Sequence, residues 1–191
     1  MTDQQPERFT EAYPPDGDAR VPSGAFLAYA EGKVAPELLQ VWRSTGLGFY
    51  GEQRIALVDP GVWLPVLTTW LGHDTGTLPA AVTSFGHLYH AGPSGPVQCL
   101  DPHFVTNTVV APDMASFLGE HLPGPSSHLA DLEGPRGGAR ARFGELAEGE
   151  TYYFDPAIAL GGQVSPNTLA KGDGVAEFTR IHAGLRQRRA G

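Results

Sequence analysis

The 191-residue chain is 41% hydrophobic and only 18% charged. Soluble domains carry about 25% charged residues, so a chain kept unfolded by its charge is excluded, and this length predicts burial of about 70% of the unfolded surface. Twenty-one acidic against 13 basic side chains leave a formal charge of −8, which argues against a nucleic-acid footprint, since that needs clustered Lys and Arg, and favours a basic partner or none.

With 25 glycines and 17 prolines, the chain is expected to fold from short elements joined by many turns. Residues 1–20 are polar and hold Pro14, Pro15, Asp16, Gly17 and Asp18. They read as an N-terminal arm without regular structure. From Pro36 to Ser44 a helix is predicted, with Pro in its first turn, Leu38, Leu39 and Trp42 on one face and Gly46 as a stop. Phe49 and Tyr50, then Ile55 to Val58, read as a short buried strand pair ended by Asp59 and Pro60. Trp63, Val66, Leu67 and Trp70 fall at helical spacing. Pro65 is then expected in that helix's first turn.

Three short strands follow, at Val82 to Tyr89, Val97 to Leu100 and Phe104 to Val110, as an antiparallel meander with turns such as AGPSGP at 91–96. Asp113 is placed to cap a helix from Met114 to Leu122. PGPSS at 123–127 is the best candidate boundary. Beyond it, GARARFGEL (138–146) predicts a helix, Tyr152 to Leu160 an apolar stretch before Gly161 and Gly162, and Val175 to Leu185 a final helix. Strands in sequence with helices at both ends predict an α+β protein of one compact body, with short antiparallel strands and flanking helices.

Chemistry-bearing patterns are sparse. DTGT at Asp74–Thr77 matches the aspartic-protease loop, but it occurs once and lies among Gly72, His73 and Pro79, so a plain loop is expected. Six of the seven histidines lie between His73 and His128. His87 and His90 are three apart in a predicted strand and point to opposite faces, whereas Asp101 and His103 share one and could supply two ligands. A pair is not a site, and no metal or cofactor is expected. No GxSxG elbow or phosphate-cradling glycine motif is present, and Cys99, the single cysteine, has no basic neighbour in sequence. One cysteine also excludes an intramolecular disulfide, which suits a reducing compartment. Neither a basic start followed by an apolar run nor a membrane-length apolar run occurs, so a cytoplasmic protein without membrane attachment is expected.

Between Ile55 and Pro135 there is no Lys or Arg, while Asp59, Asp74, Asp101, Asp113, Glu120, Asp131 and Glu133 fall there. Such a one-signed field serves either solubility or the steering of a partner. Loop carboxylates held outward by turns are the candidate partner-binding groups, chiefly Asp59, Asp74 and Asp101.

Two stretches carry a resemblance. WRSTGLGFYGEQRIALVDPGVWLPVLTTWL (42–71), with SFGHLYH (84–90), resembles the GAD-like domain. YYFDPAIALGGQVSPNTLAKGDGVAEFTRIHAGL (152–185) resembles the domain that ends type VI secretion immunity proteins of the Tdi-type DNase immunity family. Its Phe-x-Pro-Ala-x-Ala-Leu-Gly-Gly motif is carried by Phe154, Pro156, Ala157, Ala159, Leu160, Gly161 and Gly162. The resemblance spans Val21 to Leu185 and departs at 132–150, which is rich in Gly and Arg.

The resemblance implies an arm at 1–20, a GAD-like domain at 21–122 and an immunity-type domain at 127–191 packed on it. It also implies a cytosolic, non-enzymatic antidote that binds a delivered toxin, such as a basic nuclease domain, as a monomer in a 1:1 complex. A regulatory or scaffold interaction module and an unrecognised hydrolase are the alternatives. The motif residues, mostly apolar or lacking a side chain, are expected to be scaffold.

Overall fold

Alternation along the central strands decides the architecture. Tyr50, Ile55, Leu57, Ala81, Tyr89 and Cys99 belong to one apolar core, and Phe49, Ala56, Val58, Val82, Leu88 and Leu100 to a second. Successive side chains on a strand point to opposite faces, so one sheet separates two cores. A computed structural model describes residues 5–125, 129 and 133–190. Its six antiparallel strands follow sequence order: β1 (Gly48–Tyr50), β2 (Ile55–Leu57), β3 (Leu78–Thr83), β4 (Leu88–Ala91), β5 (Val97–Asp101) and β6 (Thr106–Ala111). The register lines up Phe49 with Ala56, Ala56 with Val82, Val82 with Leu88 and Leu88 with Leu100, one row on a single face. The expected α+β body of short antiparallel strands is what the chain forms.

The first core lies under α1 (Gln5–Ala12), α2 (Gly24–Ala30), α3 (Pro36–Ser44) and α5 (Met114–Ser116). Beneath α4 (Pro60–Leu71) lies the second core, together with α6 (Glu133–Phe143), the two-stranded sheet β7 (Glu150–Phe154) and β8 (Leu169–Asp173), and α7 (Gly174–Ala190). The smaller sheet is tied to the larger by Tyr152 N donating to Ser84 O at 2.7 Å and by Phe85 stacked on Phe154. No helix among the described residues is long and apolar enough to cross a membrane.

Several expectations need correction. The polar lead-in is not an irregular arm, because α1 inserts Phe9 into the first core with no exposed surface. The chain after it is strapped to the sheet edge through Gly51 N to Pro14 O, Asp16 N to Phe49 O and Arg20 N to Leu47 O. The predicted strand Val82 to Tyr89 is two strands. Thr83 Oγ1 accepts from the backbone N–H of Phe85 and of His87, which folds the chain back between β3 and β4. Pro65 lies inside α4, since Pro60 already begins that helix. Asp113 does cap α5 through Ser116 N at 2.7 Å, but the helix widens to a π-helix at Phe117–His121. The helix predicted at 138–146 occupies Glu133–Phe143 instead.

Candidate partner-binding groove and a buried histidine cluster

The strap at residues 18–23 runs close against the chain before and at β1. Gly46 makes this approach possible: a Cβ there would lie 2.1 Å from the Arg20 carbonyl carbon, and its φ of +102° suits glycine alone. Between the strap, the start of α4 and the loop before β7 opens a groove of about 420 Å³. Phe49, Ala56, Val58, Trp63 and Val82 of the second core line it. Its charged lining is Asp18, Asp59, Glu148 and Glu150 against the single base Arg20.

Each carboxylate is held, Asp18 by accepting from Phe49 N at 3.4 Å. Asp59 caps α4 by accepting from Gly61 N at 2.8 Å, which leaves it exposed at the groove. Both Glu148 oxygens accept from Arg20 Nη2 at 2.8 Å. Glu150 accepts from Ala147 N at 2.8 Å and lies 3.1 Å from Lys171 Nζ. Those two contacts, the backbone N–H foremost, hold its carboxyl below the usual range. An acidic rim over an apolar floor suits a cationic segment carrying an apolar anchor.

The three candidate aspartates do not form one surface. Asp74 is exposed in a turn outside the groove, accepting from Gly76 N, so DTGT is a loop, as expected. Asp101 is not an outward loop carboxylate. It ends β5 at 7% exposure and accepts from His103 N at 2.7 Å and Phe104 N at 3.3 Å. Strand-end backbone N–H groups capture this side chain and turn it inward.

Around Asp101 the fold gathers His103, its partner on one face as the sequence suggested, and His87, which the sequence reading did not join to them. His87 and His103 are both buried, with ring centroids 5.2 Å apart, and His87 Nε2 lies 3.7 Å from Asp101 Oδ2. His103 Nε2 donates to the Phe85 carbonyl at 2.8 Å. The signal was present in the β4–β5 register: Leu88 opposite Leu100 sets residue 87 beside residue 101. As expected, His90 goes elsewhere, its Nε2 donating to Asn107 Oδ1 at 2.9 Å and its Nδ1 meeting Thr77 Oγ1 at 2.8 Å.

Sequence reasoning also passed over Arg136, 6% exposed, which donates to Glu52 O at 2.7 Å and to Glu133 Oε1 at 3.0 Å. It fastens α6 to the β1–β2 turn. Cys99 is buried, and burial pushes its thiol far above the thiolate-forming range, which removes it as a nucleophile. Trp63 and Tyr89 are core residues, 2% and 0% exposed, so neither is an open anchor.

No family model matches the chain, and no curated protein does. A solved structure does resemble it: "Crystal structure of Atu4351 from Agrobacterium tumefaciens" superposes with a TM-score of 0.73 over 92% of this chain and 87% of that one, at 15% identity. Likeness at that identity speaks to the fold alone.

Proposed function

We propose that this protein is a cytoplasmic immunity protein that neutralises a secreted toxin, such as a basic nuclease domain, by stoichiometric occlusion. It acts as a monomer in a 1:1 complex, without turnover and without direct contact to nucleic acid. The observation that carries the proposal is the groove, where four carboxylates and one guanidinium surround an apolar floor. A nuclease presents Lys and Arg to phosphates, so an acidic inhibitor can steer onto that surface and cover it. The resemblance of residues 152–185 to the domain that ends type VI secretion immunity proteins, behind a stretch at 42–71 that resembles the GAD-like domain, supports the same reading.

The test looks beside this chain's gene for one that encodes a toxin with a basic nuclease tail, and takes that tail as the partner. Asp18→Asn, Asp59→Asn and Glu148→Gln keep the side-chain shapes and remove charge; Asp59→Asn keeps an oxygen for the cap, and Glu148→Gln keeps one of the two acceptors for Arg20. Together they should slow association about tenfold at low salt, with the difference shrinking as salt screens the field. Asp74→Asn, outside the groove, should change the rate less. Kinetics unchanged by the triple variant would remove the groove from the interface. Binding without protection of toxin-expressing cells would favour a regulatory or scaffold module instead.

A further inference from the structure

We propose that His87, Asp101 and His103 form a buried binding site for a divalent first-row transition ion of the zinc class. Among the described residues these three offer ligand atoms that all lie within 4.8 Å of one another. They are 3%, 7% and 6% exposed. The site is independent of the groove and of any toxin.

The outer contacts of each side chain orient it for this task. The Phe85 carbonyl can only accept, so the His103 proton sits on Nε2 and the lone pair on Nδ1. His87 Nδ1 meets Thr83 Oγ1 at 3.1 Å, which turns Nε2 toward Asp101 Oδ2, 3.7 Å away. Asp101 Oδ1 takes the His103 and Phe104 backbone N–H groups, so Oδ2 is the oxygen on the histidine side. His103, giving its Nε2–H to a backbone carbonyl, follows the outer-shell pattern of metal-binding histidines. Thr83 Oγ1 already accepts from the Phe85 and His87 backbone N–H groups, so to offer Nε2 to an ion His87 takes its proton on Nδ1 and the Thr83 hydroxyl turns to accept it.

Distances and donor chemistry agree. Tetrahedral zinc with bonds of about 2.0–2.1 Å needs ligand atoms roughly 3.4 Å apart, so the 3.7 Å pair is nearly in place, and the other spacings, all within 4.8 Å, shorten toward that value on binding. Two imidazoles and one carboxylate suit zinc, cobalt or nickel, and disfavour calcium or magnesium, which want all-oxygen shells. The Thr83–His87 turn and the end of β5 supply the ligands, and His103 packs edge-on against Phe154 of β7. A bound ion would therefore join the β3–β4 turn to the end of β5.

The experiment takes the tag-free full chain, stripped with a chelator and dialysed, and titrates it with zinc by calorimetry and with cobalt by visible absorption. Wild type should bind one ion per chain with micromolar or tighter affinity, show the intense visible bands of four-coordinate cobalt, and melt at a higher temperature with zinc. His87→Gln and His103→Gln should each weaken binding at least tenfold, while His73→Gln and His182→Gln should leave it unchanged. Should the buried variants fail to fold, nitrogen NMR of the wild-type imidazoles decides. Zinc should move the His87 Nε2 and His103 Nδ1 signals by direct coordination. No stoichiometric zinc uptake by wild type, equal affinity in folded His87→Gln and His103→Gln, or coordination shifts only at other histidines would each overturn the site and leave a hydrogen-bonded polar cluster.

Discussion

Gly162 stands where a side chain has no room: an added Cβ would lie 1.7 Å from Pro156 O and 2.6 Å from the Pro156 carbonyl carbon. Backbone cannot yield as a flexible side chain can, so Gly162→Ala should cost at least about 3 kcal/mol. Gly161, at φ +85°, has space for a Cβ but the wrong backbone for one, and Gly161→Val should cost about 1–3 kcal/mol. Both variants should melt lower, while the folded fraction keeps its affinity for the partner. Lost affinity at an unchanged melting temperature would place this turn in the interface. A second residue-scale prediction concerns His90, whose pKa burial lowers from 6.5 while the Asn107 contact partly resists. The unfolded chain takes up its proton near pH 6.5 and the native chain only at lower pH, so stability is full above that range and falls as pH drops into it. Urea midpoints between pH 7.5 and 5.5 should decline more steeply for wild type than for His90→Gln; equal slopes would mean that His90 is not held neutral.

At the scale of elements, α1 is the clearest case of a short helix that tertiary packing creates. Isolated, its eight residues lie well below the length at which a helix is stable in water. Phe9 holds it by packing 5.1 Å from the Tyr50 ring, and Tyr13 adds a hydrogen bond to Leu122 O. Phe9→Ala should therefore destabilise the protein by about 3–5 kcal/mol, measured by urea unfolding. A cost under 1 kcal/mol would show that α1 only decorates the surface. Such an element is hard to read in sequence, because one buried ring among polar neighbours leaves no stripe. The elements that were legible, α3, α4 and the strands at β1, β2 and β5, carry runs of apolar residues bounded by Gly, Pro or Asp. The β3–β4 bend was not, although Gly86 takes φ +83° in it, because a single glycine within an apolar run is a weak turn signal and the Thr83 hydroxyl bonds that complete the bend leave no mark in the sequence. Of the candidate site, Asp59 was legible from its place before Pro60. Asp101 was misread because a polar residue at a strand end signals a turn, without saying whether the carboxylate faces water or captures backbone N–H groups. The groove was not legible at all, since Asp18, Asp59 and Glu148 meet only through the fold.

For the whole molecule, the question is whether the chain behaves as one unit or as the two parts that PGPSS at 123–127 suggests. The single large sheet is shared: its first face buries Ile55, Leu57, Ala81 and Tyr89, and its second buries Ala56, Val82, Leu88 and Leu100. The second core then draws α4 from before the boundary together with Tyr152, Phe154 and Phe178 from after it. Trp63 and Trp70 both meet Phe178 edge-on, at ring-centroid distances of 5.9 and 5.5 Å, and Trp70 Nε1 donates to Phe178 O at 3.1 Å. Unfolding α7 alone would strip these contacts and uncover α4 and the small sheet, so partial unfolding should be unfavourable and the transition cooperative. The tryptophans divide between the cores, Trp42 in the first and Trp63 in the second. A Trp63→Phe, Trp70→Phe variant leaves Trp42 to report the first core, and a Trp42→Phe, Trp70→Phe variant leaves Trp63 to report the second. In each variant the urea midpoint seen by fluorescence should coincide with that seen by far-ultraviolet circular dichroism. A Trp63 signal that moves at lower urea than the dichroism would mean that the second core melts first, and that the residues beyond the boundary form a separately folding part resting on the sheet.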